Sequence, residues 1–103
     1  MILVDTSVWI EFFKGKEPVF SRLKARIEKQ DVCAAECVFG ELLQGALNRE
    51  ERRILSEYWQ SLPKLDEKNI FIEAGTASGL HKLASRGVGL IDAVLMQLAR
   101  KNG

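Results

Sequence analysis

The sequence has no long hydrophobic run. Its uninterrupted apolar stretches, such as residues 2–4, fall far short of the roughly 20 residues that are needed to cross a bilayer. No basic segment followed by an apolar region precedes the first buried-looking stretch, as it would in a signal peptide. We therefore expect a soluble, cytoplasmic protein.

Cysteine and histidine are also scarce. The two cysteines are Cys33 and Cys37, and His81 is the single histidine, so one chain cannot assemble a complete zinc ligand set. A disulfide is not expected in a reducing cytosol. We predict that both cysteines are small buried apolar residues and that His81 faces solvent or the edge of the core.

An excess of charge of one sign is missing as well. The formal net charge is +1 and 28% of the residues are charged, which differs from disordered segments and from strongly basic nucleic-acid-binding proteins. With 103 residues and 47% hydrophobic content, the chain has the size of one domain with one core. Charge alone therefore does not point to a nucleic-acid substrate.

Short strand-like runs alternate with helix-like segments. Residues 1–4 form an apolar run typical of a buried strand, and a helix capped by Thr6 or Ser7 should follow it. Residues 31–35 begin a second strand-then-helix unit. Further helices are expected at residues 18–29, 50–62, 70–84 and 90–100, and a very short third strand at residues 64–66. This alternation predicts an α/β fold with a short parallel sheet flanked by helices.

The last residues end a helix where a parallel α/β unit normally continues. Residues 101–103 carry a helix-terminating signal, and another strand would usually follow such a helix. We therefore expect one domain over residues 1–103 that lacks its C-terminal strands.

Three acidic residues lie where a parallel sheet would place a ligand site. Asp5 ends the first strand, Glu41 lies at the edge of the apolar stripe of a helix, and Asp92 is in the first turn of the last helix. Each also has an ordinary explanation, as a turn residue, a surface glutamate or a residue that stabilises the helix dipole. Together, they predict one cation site for Mg²⁺ or Mn²⁺, which favour oxygen ligands.

Three segments, taken in order, resemble the PIN domain, and specifically the VapC-type ribonuclease toxins. They are MILVDTSVWI (residues 1–10), GELLQGA (residues 40–46) and GLIDA (residues 89–93). The resemblance implies a Rossmann-like sheet, an acidic pocket that binds Mg²⁺ or Mn²⁺, and endoribonuclease activity that leaves a 5′-phosphate and a 3′-hydroxyl. It also implies a homodimer and inhibition by a partner antitoxin.

The resemblance also assigns roles to individual residues. Asp5, Glu41 and Asp92 match the family's first three acidic positions, which makes them the expected metal ligands and catalytic residues. Thr6 matches the family's hydroxyl beside the first acid. The family pattern continues into a strand with a threonine and a fourth acidic residue, and this sequence ends before that strand.

Two alternatives stay open at this point. Phosphoryl transfer through an aspartyl phosphate also uses an aspartate after a first strand, but those phosphatases place a second aspartate where this chain has Ser7. The other alternative is a PIN-like binding module that is catalytically inactive or active only in a longer chain.

Aromatic and basic residues suit structural roles as well as RNA contacts. The spacing of Trp9, Phe12 and Phe13 fits one helical stripe, so we expect them in the core or at a dimer contact. The arginines at positions 49, 52 and 53 could contact phosphates, and a solvated helix face explains them equally well.

Overall fold

The computed structural model describes residues 1–82 and 84–101, and the chain forms two compact units, Met1–Lys64 and Leu65–Gly103. The first unit contains β1 (Ile2–Leu3), α1 (Thr6–Phe13), α2 (Val19–Glu28), β2 (Val32–Cys33), α3 (Glu36–Gln44) and α4 (Arg49–Ser61). The second contains α5 (Ile70–Leu80), a 3₁₀ helix (Ala84–Arg86) and α6 (Leu90–Lys101). No helix in the described ranges is long and apolar enough to cross a membrane.

The sheet of the first unit is short and parallel. Ile2 pairs with Val32 and Leu3 with Cys33, which confirms the predicted α/β class. The third strand expected at residues 64–66 is reduced to one parallel bridge between Ala34 and Lys64. The second strand is therefore flanked on both sides and is buried, whereas Ile2 on β1 remains 37% exposed.

An aromatic cluster forms the centre of the first unit. Trp9 is fully buried, and its ring lies 5.4–5.7 Å from the rings of Phe12, Phe13 and Phe39. Tyr58 from α4 closes the cluster at 6.2 Å from Trp9. The cluster joins α1, α3 and α4, and burying a ring of this size stabilises a fold by about 3–5 kcal/mol relative to alanine. The prediction of core positions is confirmed for Trp9 and Phe12, and Phe13 is half-buried.

The prediction that both cysteines are buried is confirmed for Cys33 and not for Cys37. Cys33 is buried, Cys37 is half-buried, and both are free thiols. Cys33 Sγ donates a hydrogen bond of 3.2 Å to the Ile2 carbonyl oxygen. Burial raises the pKa of the Cys33 thiol because the low-dielectric surroundings disfavour the thiolate. Cys33 is therefore a structural residue within the strand pair.

The second unit is a helical hairpin. The helices α5 and α6 pack through apolar residues that include Ile70, Ala74, Val94 and Leu98. The predicted helix over residues 70–84 ends earlier, at Leu80, because Lys82 adopts a left-handed φ of 53° that cannot continue a helix. The 3₁₀ helix then leads into the last helix, which matches its predicted bounds within one residue.

Candidate active site

Asp5 lies where β1 passes into α1 and accepts two hydrogen bonds there. It is the N-cap of α1, and its Oδ1 accepts a 2.7 Å hydrogen bond from the Thr6 backbone N–H. Its Oδ2 accepts a 3.3 Å hydrogen bond from the Ser7 hydroxyl. The cap expected at Thr6 or Ser7 is thus Asp5 itself, because a carboxylate can satisfy the first free N–H groups of the helix. Both oxygens of the exposed carboxylate are oriented by these contacts.

Thr6 connects this carboxylate to α3. Its hydroxyl donates a hydrogen bond of 3.4 Å to Glu41 Oε1. One residue therefore touches two acidic side chains, through its backbone N–H on one side and its hydroxyl on the other. Asp5 and Glu41, which the sequence assigns to one site, are brought to a common partner, and Thr6 is that partner.

No protein cation neutralises these acids in the described part of the chain. The ion pairs found there use Asp31, Glu50, Glu57 and Glu73, and none of them uses Asp5 or Glu41. Two adjacent exposed carboxylates without a basic partner repel each other, and a bound cation would remove that repulsion. The electrostatics of the pair favour a positively charged ligand.

Asp92 belongs to the second unit. It is exposed and lies in the first turn of α6, where the partial positive charge of the helix N-terminus stabilises a carboxylate. The position of Asp92 therefore fits the role of a residue that stabilises the helix dipole. Of the three predicted acids, Asp5 and Glu41 lie in the first unit, and Thr6 forms a hydrogen bond with each of them.

The donor set of the first unit suits a hard divalent cation. The side chains of Asp5, Thr6 and Glu41 offer carboxylate and hydroxyl oxygens, the ligand type that Mg²⁺ and Mn²⁺ prefer. In neither unit do residues 1–82 and 84–101 gather three acidic, histidine or cysteine side chains that could together hold a metal ion. The first unit thus brings together two carboxylates, fewer than the three side chains of such a group.

Glu41 also borders an apolar cavity. The cavity has a volume of about 370 Å³ and lies between α1, α3 and α4. Its walls include Ile10, Phe13, Leu42 and Leu55 besides Glu41. The glutamate on α3 therefore accepts from Thr6 and also borders this cavity, whose lining further includes Lys14 and Glu51.

Ser7 is a further contact of the Asp5 carboxylate, and this contact was not predicted for it. Ser7 stands two residues after the strand-end aspartate and donates a hydrogen bond to it. That spacing is typical of a local turn in which a hydroxyl and a carboxylate share the helix start, and it could have identified Ser7. His81 is exposed, in agreement with the expectation for it.

The chain belongs to the PIN domain family, whose family model matches residues 2–103. Two similar curated proteins are VapC ribonuclease Mb1587 of Mycobacterium bovis and ribonuclease VapC11 of Mycobacterium tuberculosis. Each is 26% identical to the chain over 110 aligned positions, and the alignment covers 100% of this chain and 81% of the relative. The membership and the names of these relatives bear out the resemblance found in the sequence.

Proposed function

We propose that the chain is an endoribonuclease that depends on Mg²⁺ or Mn²⁺ and that serves as the toxin of a type II toxin–antitoxin pair. Asp5, Glu41 and Asp92 are its catalytic carboxylates and metal ligands, and Thr6 supports the first two. Membership of the PIN family and similarity to two proteins named as VapC ribonucleases support this function.

The contact of Thr6 with both Asp5 and Glu41 carries the proposal. It joins the carboxylate at the start of α1 to a carboxylate on α3. Thr6 and Glu41 are 35 positions apart in sequence, so this contact is made by the fold. A plain helix cap would need only the Asp5 carboxylate, so a second acid turned toward the same residue has no structural purpose that capping explains. Two acids that share a partner and form no ion pair within the described residues suit cation binding.

The protein residues of this site would act by position and by proton control. Asp5 is fixed by two hydrogen bonds, so its free lone pairs point in a set direction before any ligand arrives. The Thr6 hydroxyl limits the rotation of Glu41, which can hold a water molecule or accept a proton from it. When bound, a divalent cation supplies Lewis-acid stabilisation of the phosphoryl oxygens. No side chain has to attack the phosphorus.

The proposal extends to assembly and location. We infer a cytoplasmic homodimer that acts on RNA and that a cognate antitoxin protein inhibits. Surface residues of the first unit offer apolar area for such contacts, since Ile10 is 43% exposed and Leu47 is 86% exposed. Exposed apolar side chains of this size on neighbouring elements are typical of an interface.

Cleavage of a labelled single-stranded RNA with chelator, with Mg²⁺ and with Mn²⁺ tests the proposed function. Cleavage should require the divalent cation and leave a 5′-phosphate and a 3′-hydroxyl. Glu41→Gln and Asp92→Asn should each lose more than about 10-fold in rate, since even residues that only support a metal ligand often contribute 10–100-fold. Glu11→Gln and Asp66→Asn are matched controls that should cleave like the parent.

A binding module without activity is the second candidate. It is favoured by the finding that neither unit, over its described residues, gathers a three-acid metal group. Under this alternative, RNA would stay intact with either cation and the four variants would behave alike. Equal activity of Glu41→Gln and the parent would also move this alternative ahead of the ribonuclease.

A further inference from the structure

A second cavity lies within the helical hairpin of the second unit. It has a volume of about 210 Å³, is open to solvent, and is bordered by residues of α5, α6 and the 3₁₀ helix. Its polar lining residues are Ser78, His81, Arg86, Gln97 and Arg100. The volume equals roughly seven water molecules at about 30 Å³ each, which leaves room for a phosphate group.

The charge around this cavity is of one sign. Two guanidinium groups line it, from Arg86 and Arg100, and among residues 1–82 and 84–101 no acidic side chain does. In the described part of the chain neither arginine has an ion-pair partner, and the side chain of His81 has no hydrogen bond. By contrast, the neighbouring Lys101 pairs with Glu73 at 3.5 Å. Unpaired arginines around a recess that contains no acid favour an anionic ligand.

Helix stability alone does not explain this set. Arg100 lies in the last turn of α6, where a cation interacts favourably with the helix dipole. That explanation does not apply to Arg86, which lies in the short helix before α6. The carbonyl groups at a helix C-terminus also repel anions, so an anion would have to be held by the arginines themselves. The planar guanidinium group, with its forked donors, is suited to phosphate.

The remaining lining groups complete a phosphate-binding set. The Ser78 hydroxyl and the Gln97 amide can donate hydrogen bonds, and both residues are half-buried. The imidazole of His81 has at least one N–H donor in either protonation state. A phosphodiester has unesterified oxygens that can accept from several such donors at once.

We propose that this cavity binds a backbone phosphate of single-stranded RNA. The proposal rests on the proposed function, because RNA is the anionic polymer that the enzyme would have to hold. Phosphate contacts of this kind fix the register of a nucleic acid and carry no sequence information. The cavity would thus raise the affinity for RNA without selecting a sequence.

Binding of a fluorescein-labelled single-stranded RNA in the presence of chelator tests the site. Fluorescence anisotropy gives the affinity of the parent, Arg86→Gln and Arg100→Gln between about 50 and 200 mM salt. Each substitution should weaken binding about 5-fold at the lowest salt and reduce the slope of log affinity against log salt by about 0.7. Lys82→Gln removes a nearby charge that does not line the cavity, so it should change both quantities less.

The single histidine provides a local reporter. The ring resonance of His81 in an NMR spectrum should shift when this RNA is added and shift much less in Arg86→Gln. Inorganic phosphate, added alone, should produce a similar shift only at much higher concentration. A shift that saturates with inorganic phosphate and does not change with RNA would identify a site for free phosphate and overturn the proposal.

The remaining outcomes separate this site from the proposed function. If Lys82→Gln and the two arginine variants lose equal affinity, RNA is attracted by diffuse charge and the proposal fails. If the parent binds RNA through the cavity yet does not cleave it with Mn²⁺, the phosphate site stands and the ribonuclease does not. If the parent cleaves RNA and the arginine variants bind it like the parent, the ribonuclease stands and the phosphate site does not.

Discussion

Thr6 Oγ1 lies 3.4 Å from Glu41 Oε1, so the start of α1 and the middle of α3 are joined by a side-chain hydrogen bond. The distance is long for a hydroxyl donor, whose usual range is about 2.5–3.0 Å. The bond is therefore weak, and its removal should matter more for the orientation of Glu41 than for the stability of the unit.

Replacing Thr6 with valine tests this orientation. Thr6→Val keeps the shape and the backbone N–H that Asp5 accepts from, and it removes the hydroxyl that Glu41 accepts from. We expect the Mn²⁺ concentration for half-maximal RNA cleavage to rise about 10–100-fold, as when a group that supports a metal ligand is lost. The melting temperature in chelator should change by less than about 4 °C.

Thr6→Ser is the matched control for this change. It retains the hydroxyl and should keep the Mn²⁺ response of the parent. A Thr6→Val protein with unaltered Mn²⁺ dependence would show that the contact to Glu41 has no part in the site. Equal loss in both variants would also contradict the assignment, because Thr6→Ser keeps the hydroxyl and the loss would then not follow the hydroxyl.

Elements with local signals could be predicted from the sequence. Helix α4 was expected at residues 50–62 and occupies Arg49–Ser61, because its limits are set by residues beside it. Asn48 caps its start by accepting a 2.9 Å hydrogen bond from the Glu51 N–H, and Pro63 follows its end. Elements that depend on distant partners were predicted less well. The predicted third strand is one bridge between Lys64 and Ala34. The length of such a strand depends on pairing with a distant segment, which the local sequence does not determine.

The same distinction holds for the candidate site. Asp5 lies at the end of the first strand, and Glu41 lies on the helix that follows the second strand. These positions indicated that the two acids belong together. The sequence could not show that Thr6 would be their common partner, because this contact depends on how α1 packs against α3. The catalytic roles of Asp5, Glu41 and Asp92 stay predictions.

The stability of the first unit should depend on pH through Asp31. Arg26 Nη1 donates a 2.5 Å hydrogen bond to Asp31 Oδ2, and this contact holds the pKa of the carboxyl below its usual value of 3.8. The N-terminal ammonium of Met1, 3.5 Å away, acts in the same direction. A carboxyl with a lowered pKa in the folded state stabilises the fold above pH 3.8 and loses that effect as the pH falls further.

Asp31→Asn removes this dependence. The variant should melt at a lower temperature than the parent at pH 7, and the two melting temperatures should converge as the pH falls through the folded-state pKa. Thermal unfolding followed by circular dichroism from pH 7 to pH 2 gives the comparison. Asp66→Asn serves as control, since Asp66 accepts only a backbone hydrogen bond from Lys68 and has no ion pair within the described residues. A constant difference between Asp31→Asn and the parent at every pH would contradict the linkage.

The proposed homodimer should use apolar surface of the first unit. Sedimentation at micromolar protein should give a mass of roughly twice 11.6 kDa. An isologous interface uses the same patch on both copies, so one substitution places two like charges in the interface. Ile10→Asp, at a residue that is 43% exposed on α1, should therefore produce monomer. Ile72→Asp, on α5 of the second unit, should leave the dimer intact, and a parent that sediments only as monomer would refute the assembly.

Replacing Asp5 with asparagine should affect RNA cleavage and thermal stability differently. Asparagine caps helices as well as aspartate does, so the hydrogen bond from the Thr6 N–H should persist. Loss of the charge relieves repulsion with Glu41, and it also weakens an interaction with the α1 dipole that is worth about 0.3–1 kcal/mol. Because these effects oppose each other, we expect the melting temperature in chelator to stay within about 4 °C of the parent, or to rise slightly. RNA cleavage with Mn²⁺ should be abolished.

The melting series should then be repeated with Mn²⁺. A ligand that binds only the folded state raises its stability by mass action, so the parent should gain melting temperature and Asp5→Asn should gain less. Asp5→Ala is the structural control: it removes the cap and should cost about 1 kcal/mol without metal. If Asp5→Asn were as unstable as Asp5→Ala in chelator and responded to Mn²⁺ like the parent, Asp5 would be a helix cap only. The binding-module function would then explain the chain better than a ribonuclease does.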